Sequence, residues 1–259
     1  MSEAAVSAAP TALYVYGVVP AGTELELSGA GVGSSDVRVI AEGELGAIVG
    51  AVPLEKFGEG PLRRNLEDRD WLERTAQAHE AVLERALGTT TVIPFRIATL
   101  YGAEPHLREF LAANRASLLE LLRQLDGRVE LGVKAYLDRG VKSDASKAES
   151  GSDYLRRRQA EQEAARNADA FALDCARTSH EHLATVALAA RSNRPQASEL
   201  SGRTEQMLLN GAYLVERGDE RLEQALRELE KHFGPQGVTY ELTGPWPPYN
   251  FVPRDLGGR

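Results

Sequence analysis

Between Val129 and Leu242 the hydrophobic period of the chain switches in a fixed succession, and that succession constrains the fold more than any single residue. Val129, Leu131, Val133, Ala135 and Leu137 alternate with mostly polar residues, as in a half-exposed strand. A polar linker, Arg139–Gly151, leads to a long helix expected over Ser152–Ser179, whose second half sets Ala168, Phe171, Cys175 and Ser179 along one face. Leu183–Ala190 and Met207–Val215 read as strands on either side of a flexible loop, Arg191–Arg203. Gly218-Asp219 opens a helix with Leu222, Leu226, Leu229 and Phe233 as its apolar stripe, and Val238, Tyr240 and Leu242 alternate in a last strand. The order β-α-β-β-α-β is the split βαβ, or ferredoxin-like, arrangement.

The preceding half is also mixed. Leu13–Val19 (LYVYGVV) and Leu45–Val52 (LGAIVGAV) are β-branched, apolar runs that stop at Pro20 and Pro53, and read as buried strands. Ala21–Asp36 is rich in Gly and Ser and reads as a loop. A helix is expected over Leu66–Leu87, with Leu72, Ala76, His79, Leu83 and Ala86 on one face and Gly88 closing it. Thr91–Ile97 is a short strand that Pro94 confines to an edge or a bulge, because proline lacks the ladder donor. A single helix is expected over Leu107–Leu125. The fold class is therefore α+β with two domains. Residues 1–11 form a disordered lead-in, 12–127 a ββαβα domain, 128–243 the ferredoxin-like domain, and 244–259 an aromatic and proline-rich tail packing on them.

Composition excludes several function classes. A net charge of −8 argues against a nucleic-acid backbone as partner, which needs clustered Lys and Arg. The single cysteine, Cys175, forms no internal disulfide and points to a reducing compartment. No apolar run approaches the ~18 residues of a membrane span, and Met1–Thr11 lacks the features of a secretory signal, so the expectation is a cytoplasmic protein.

The chemistry-bearing residues favour structural readings. Gly29, Gly31 and Gly33 miss the GxGxxG spacing and lead into a strand rather than a helix, so no phosphate cradle is expected. His180 and His182 flank Glu181 at the expected start of a strand, with no third ligand at a metal-binding spacing. His79 reads as a core or domain-interface histidine bonded to backbone, with a general base as the alternative. Cys175 sits on an apolar face without a basic neighbour at fixed spacing. Arg156, Arg157 and Arg158, interleaved with Gln159, Glu161 and Glu163, form a solvated helix face or a docking patch for an acidic protein. Arg96, beside Phe95 and Pro94 in an apolar strand, needs a partner or solvent. No catalytic, cofactor or metal residues are assigned.

The stretch Thr243–Val252, TGPWPPYNFV, is stiffened by three prolines and carries Trp246, Tyr249 and Phe251 as large docking side chains. It folds back on its own chain, docks on another protein, or does both. With it stand LYVYGVV, the block AHEAVLE…TTTVIPFRIATLYG over Ala78–Gly102, and GRVELGVKAYLD followed by SGSDYLRRR. These four blocks, in this order from Leu13 to Val252, resemble the gas vesicle protein F/L family. One departure is Ile97-Ala98-Thr99, where Phe-Gly-Thr is common in the family.

The resemblance implies an α+β domain followed by a modified ferredoxin-like domain. It also implies an accessory or minor component of the gas vesicle that binds the major shell protein and other accessory proteins during nucleation and assembly. Candidate contact or clamp residues are Pro94, Phe95, Arg96, Arg156, Arg157, Trp246, Tyr249 and Phe251. The competing reading is an enzymatic or small-ligand-binding ferredoxin-like module, which would need His79, Arg96 and His106 to share a pocket.

Overall fold

A computed structural model of the chain describes residues 10–138, 151–195, 204–253 and 256. It divides into two compact units, one of residues 1–128 together with 247–259, the other Val129–Trp246. The first unit is therefore discontinuous in sequence, and the segment expected as a tail from Gly244 joins it only from Pro247.

In the first unit, β1 (Thr11–Pro20), β2 (Val37–Glu42), β3 (Leu45–Pro53), β4 (Ile93–Pro94) and β5 (Leu100–Tyr101) form one sheet of order β2-β3-β1-β4, with β5 also paired to β1. The central place of β1 explains its near-continuous apolar run, for Tyr14–Val19 are all buried. Gly17 permits the pairing with β4, since a Cβ there would lie 2.5 Å from the Ile93 carbonyl oxygen. After β3 come two short helices, α1 (Leu54–Phe57) and α2 (Glu59–Asn65), then α3 (Arg69–Thr89), α4 (Glu104–Ala113) and α5 (Arg115–Leu125). Helices α3 and α5 pack on β1, burying Val82, Leu83 and Ala86 from one and Leu118, Leu122 and Leu125 from the other.

Four local expectations are corrected here. Helix α3 starts at Arg69, not Leu66, because Asp68 caps it: its Oδ1 accepts from the Asp70 and Trp71 amides at 3.0 and 3.2 Å. It also runs through Gly88 to Thr89. The strand expected over Thr91–Ile97 shrinks to Ile93–Pro94 on the sheet edge, and a turn at Arg96–Thr99 follows. The helix expected over Leu107–Leu125 is two helices. At Asn114 the side-chain amide donates to the Phe110 carbonyl at 2.8 Å, and the backbone leaves helical geometry at φ −104°, ψ 10°.

In the second unit, β6 (Arg128–Leu137), β7 (Ala189–Ser192), β8 (Gln206–Glu216) and β9 (Val238–Trp246) form a sheet of order β7-β8-β6-β9. With α6 (Gly151–Val186) after β6 and α7 (Arg221–Phe233) after β8, this is the ferredoxin-like order. Helix α6 packs on β8 and α7. It continues to Val186, where a strand from Leu183 was expected, because the buried stripe of Cys175 and Ser179 extends by another four residues to Leu183. The expected linker 139–151 lies outside the described residues except for its last position, and so does 196–203 of the expected loop.

Strand β9 continues through Pro245, the first proline of the expected tail, to Trp246, which pairs with Glu130. Gly244 makes this close approach possible, with φ 112° and a Cβ position only 2.9 Å from the Glu130 carbonyl oxygen.

Candidate functional site

A buried chain of hydrogen bonds lies inside the first unit, where β1, α3, the turn after β4 and the segment from Pro247 converge. Four aromatic side chains build its walls. Tyr14 and Tyr16 have ring centroids 4.9 Å apart, Tyr16 stacks on His79 at 5.5 Å, and Phe57 meets Tyr14 edge-on at 6.1 Å. Alternation along β1 places both tyrosines on the face that α3 covers.

His79 is fully buried, and both ring nitrogens are engaged. Nδ1 lies 3.0 Å from the Tyr14 hydroxyl, while Nε2 lies 3.2 Å from the Phe95 carbonyl and 3.1 Å from the Tyr249 hydroxyl. A carbonyl only accepts, so Nε2 carries the proton and Nδ1 accepts from Tyr14. The Tyr14 oxygen in turn accepts from the Ala98 amide at 3.1 Å. Tyr249 accepts from His79 and donates to Glu80 Oε1 at 2.9 Å. The result is one directed chain from the Ala98 amide through Tyr14, His79 and Tyr249 to Glu80.

Burial fixes the charge states. Desolvation lowers the His79 pKa to about 4, against a smaller opposing effect from the Phe95 carbonyl, so the ring is neutral near pH 7. Burial raises the Glu80 carboxyl, which the Tyr249 hydroxyl partly offsets. Glu80 Oε2 is buried with no hydrogen-bond partner among the described residues. Burial raises Tyr14 and Tyr16 as well. A neutral, doubly bonded histidine has no lone pair for a substrate, so the arrangement suits holding a segment in place rather than moving protons to a ligand.

The segment that supplies Tyr249 is itself compact. Pro247 and Pro248 are buried, the Tyr249 and Phe251 amides donate to the Pro247 and Pro248 carbonyls at 2.8 and 3.0 Å, and Tyr249–Phe251 forms a single 3-10 turn. Phe251 is half-buried. Trp246, at the end of β9, donates from Nε1 to Thr243 Oγ1 at 3.2 Å.

The remaining expected contact residues are dispersed. Pro94 is buried and paired with Gly17, and Phe95, 1% exposed, packs edge-on against Phe110 at 5.9 Å. Neither offers a surface to a partner. Arg96 is exposed, so it reaches solvent rather than the apolar strand interior. Arg156 is exposed and Arg157 half-exposed on α6, where Arg157 pairs with Glu161 at 3.2 Å.

His180 and His182 do not sit together at a strand entrance. They lie on α6 and diverge, His180 to the Tyr213 hydroxyl at 2.9 Å and His182 to Glu228 at 3.1 Å. Cys175 is buried beside Ser179 and Tyr240, and burial raises its thiol pKa. No group of three or more His, Cys, Asp or Glu side chains among the described residues is placed to hold a metal ion. Glu80 and Tyr14 were absent from the sequence-based candidates. The signal that finds them is their neighbourhood: Glu80 follows His79 directly, and Tyr14 points to the same face of β1 as Tyr16.

Comparison with known proteins places this architecture. The family model described as gas vesicle synthesis protein GvpL/GvpF matches residues 12–253. Gas vesicle protein L of Streptomyces sp. (strain CB03234) is 38% identical over 254 residues, covering 92% of each chain. Gas vesicle protein F of Haloferax mediterranei is 26% identical over 253 residues, covering 95% of each. The crystal structure of GvpF from Anabaena sp. PCC7120 superposes with a TM-score of 0.66 at 21% identity, over 93% of this chain and 95% of that one. GvpF from Microcystis aeruginosa gives 0.64 at 20% identity, over 93% and 98%.

Proposed function

We propose, from the premise that this chain belongs to the gas vesicle synthesis protein GvpL/GvpF family, that it acts in gas vesicle formation by binding the major shell protein and other accessory proteins during nucleation and assembly. The observation that carries this reading is the family match across residues 12–253, with a gas vesicle protein L aligned over 92% of both chains. Its place of action would be the cytoplasm and the growing vesicle. No helix of the described residues is long and apolar enough to cross a membrane.

The site chemistry supports a binding role over catalysis. Of the three residues that an enzymatic module would need, His79 is sealed in the core with both nitrogens bonded, whereas Arg96 and His106 are exposed. In this reading Arg96 and Phe251 provide the contact surface on the first unit, and Pro94 and Phe95 support it from within. Tyr249 holds its segment in place rather than touching the partner.

Co-expression of the tagged chain with the major shell protein tests the proposal. The shell protein is expected to co-purify and stay soluble, and Arg96→Glu with Phe251→Ala is expected to weaken its retention without unfolding the chain. Unchanged vesicle yield and shell-protein solubility on deleting this protein would sink the proposal.

A further inference from the structure

Helix α6 is longer than its unit requires. Its 36 residues span about 54 Å, yet burial begins only near Ala172. From Tyr154 to Ala170 every residue is exposed except Arg157 and Ala168, which are half-exposed. Most helical stability in proteins comes from tertiary packing, and little of this stretch is packed.

The exposed segment carries an ordered stripe. Leu155, Gln159, Gln162, Arg166, Asp169 and Leu173 follow one another at alternating spacings of four and three, the spacing of a heptad seam, with apolar residues at its two ends only. Its two ends, Leu155 and Leu173, are the most exposed large apolar side chains among the described residues, at 61% and 73%. The stripe has an apolar residue at each end and four polar ones between. Laid antiparallel on itself about Ala164, it sets Leu155 against the partner's Leu173, Gln159 against the partner's Asp169, and Gln162 against the partner's Arg166, each twice. The same register brings the Arg156–Arg158 run alongside the partner's Asp169 and Asp174. A parallel pair would instead stack Arg166 on Arg166, Asp169 on Asp169, and one arginine run on the other.

We propose that the exposed part of α6 is a self-association surface, on which a second copy of this chain docks as an antiparallel helix pair closed at both ends by Leu155–Leu173 contacts. This goes beyond the binding role argued above, which names other proteins as partners. Polar layers at Gln159, Gln162, Arg166 and Asp169 fix register and direction and keep the association weak and reversible.

Sedimentation of the purified full chain across a concentration series tests it. A monomer–dimer equilibrium is expected, with Leu155→Glu and Leu173→Glu each raising the dissociation constant by more than about tenfold. Leu188→Glu, at another exposed leucine outside the stripe, should leave it unchanged. Direction is read by oxidative cross-linking of Leu155→Cys mixed with Leu173→Cys, since the native Cys175 is buried. The proposal requires the mixed disulfide to dominate over both homodisulfides. A chain that stays monomeric at every concentration, a dimer indifferent to both glutamates, or a dominant 155–155 cross-link overturns it. Helicity measured by circular dichroism on each variant separates lost association from lost fold.

Discussion

Replacing Tyr249 with phenylalanine removes one oxygen from the first unit and leaves the ring in place, so it isolates the anchor. The hydroxyl does two things: it accepts from His79 Nε2 and donates to Glu80 Oε1 at 2.9 Å. His79 keeps the Phe95 carbonyl as its alternative, so little is lost there. Glu80 has no such reserve, because its other oxygen is already without a partner among the described residues. A hydrogen bond to a charged group contributes roughly 1.5–3 kcal/mol when buried. Glu80 is only half-buried, so water recovers part of this, and we expect Tyr249→Phe to destabilise the first unit by about 1–2 kcal/mol.

The two tryptophans allow a local readout. Trp71 packs on Phe57 in the first unit and Trp246 ends β9 in the second, so urea unfolding followed by fluorescence in a Trp246→Phe background reports the first unit alone. The midpoint should fall with an unchanged slope. A double-mutant cycle with Glu80→Ala should return a coupling energy of at least about 1 kcal/mol. The pH dependence has a definite sign. Burial already raises the Glu80 pKa, and losing the Tyr249 donor raises it further, so the deficit is largest above that pKa and shrinks as pH falls below it. A Tyr249→Phe change within about 0.5 kcal/mol of the parent, with no coupling to Glu80, would refute the anchoring argument.

Three further outcomes are expected. The folded pKa of His79, about 4, lies below its unfolded value, so its contribution is present above pH ~6.5 and is lost as pH falls toward 4, a loss of about 3 kcal/mol that His79→Gln should abolish in unfolding curves measured across that range. Ala98 holds φ 63°, a left-handed conformation that penalises a Cβ, so Ala98→Gly should stabilise the first unit by about 0.5–1 kcal/mol in the same assay. Gly244→Ala should destabilise the second unit by about 2–3 kcal/mol, seen as an earlier Trp246 transition, because φ 112° and the Glu130 carbonyl leave no room for a methyl group.

The α+β class and the order of the second unit were legible because its elements are long and strongly periodic, as Leu222, Leu226, Leu229 and Phe233 show on α7. What escaped was decided by single side chains or by pairing. Asn114 divides a helix that its flanking leucines would continue, and β5 has two residues that gain strand geometry only from β1. Leu183–Val186 is β-branched and apolar enough to read as strand, but the four-residue spacing from Cys175 through Ser179 keeps it helical. His79 was readable as a core histidine from its place on an apolar stripe. Its link to Tyr249 was not, because 170 positions separate the two and no local pattern encodes the contact. Ala98 was not legible either: it sits at φ 63°, which its residue type does not announce.

The discontinuity of the first unit also sets an order in time. A ribosome synthesises His79 and Glu80 early, then all of Val129–Trp246, and only afterwards Tyr249. At roughly 5–20 residues per second, the growing chain spends between several and a few tens of seconds with an unsecured carboxylate beside a buried imidazole. Completion of the first unit thus reports that the second has been made in full. A chain interrupted before Tyr249 would leave Glu80 Oε1 without that donor, and its first unit would be looser for it.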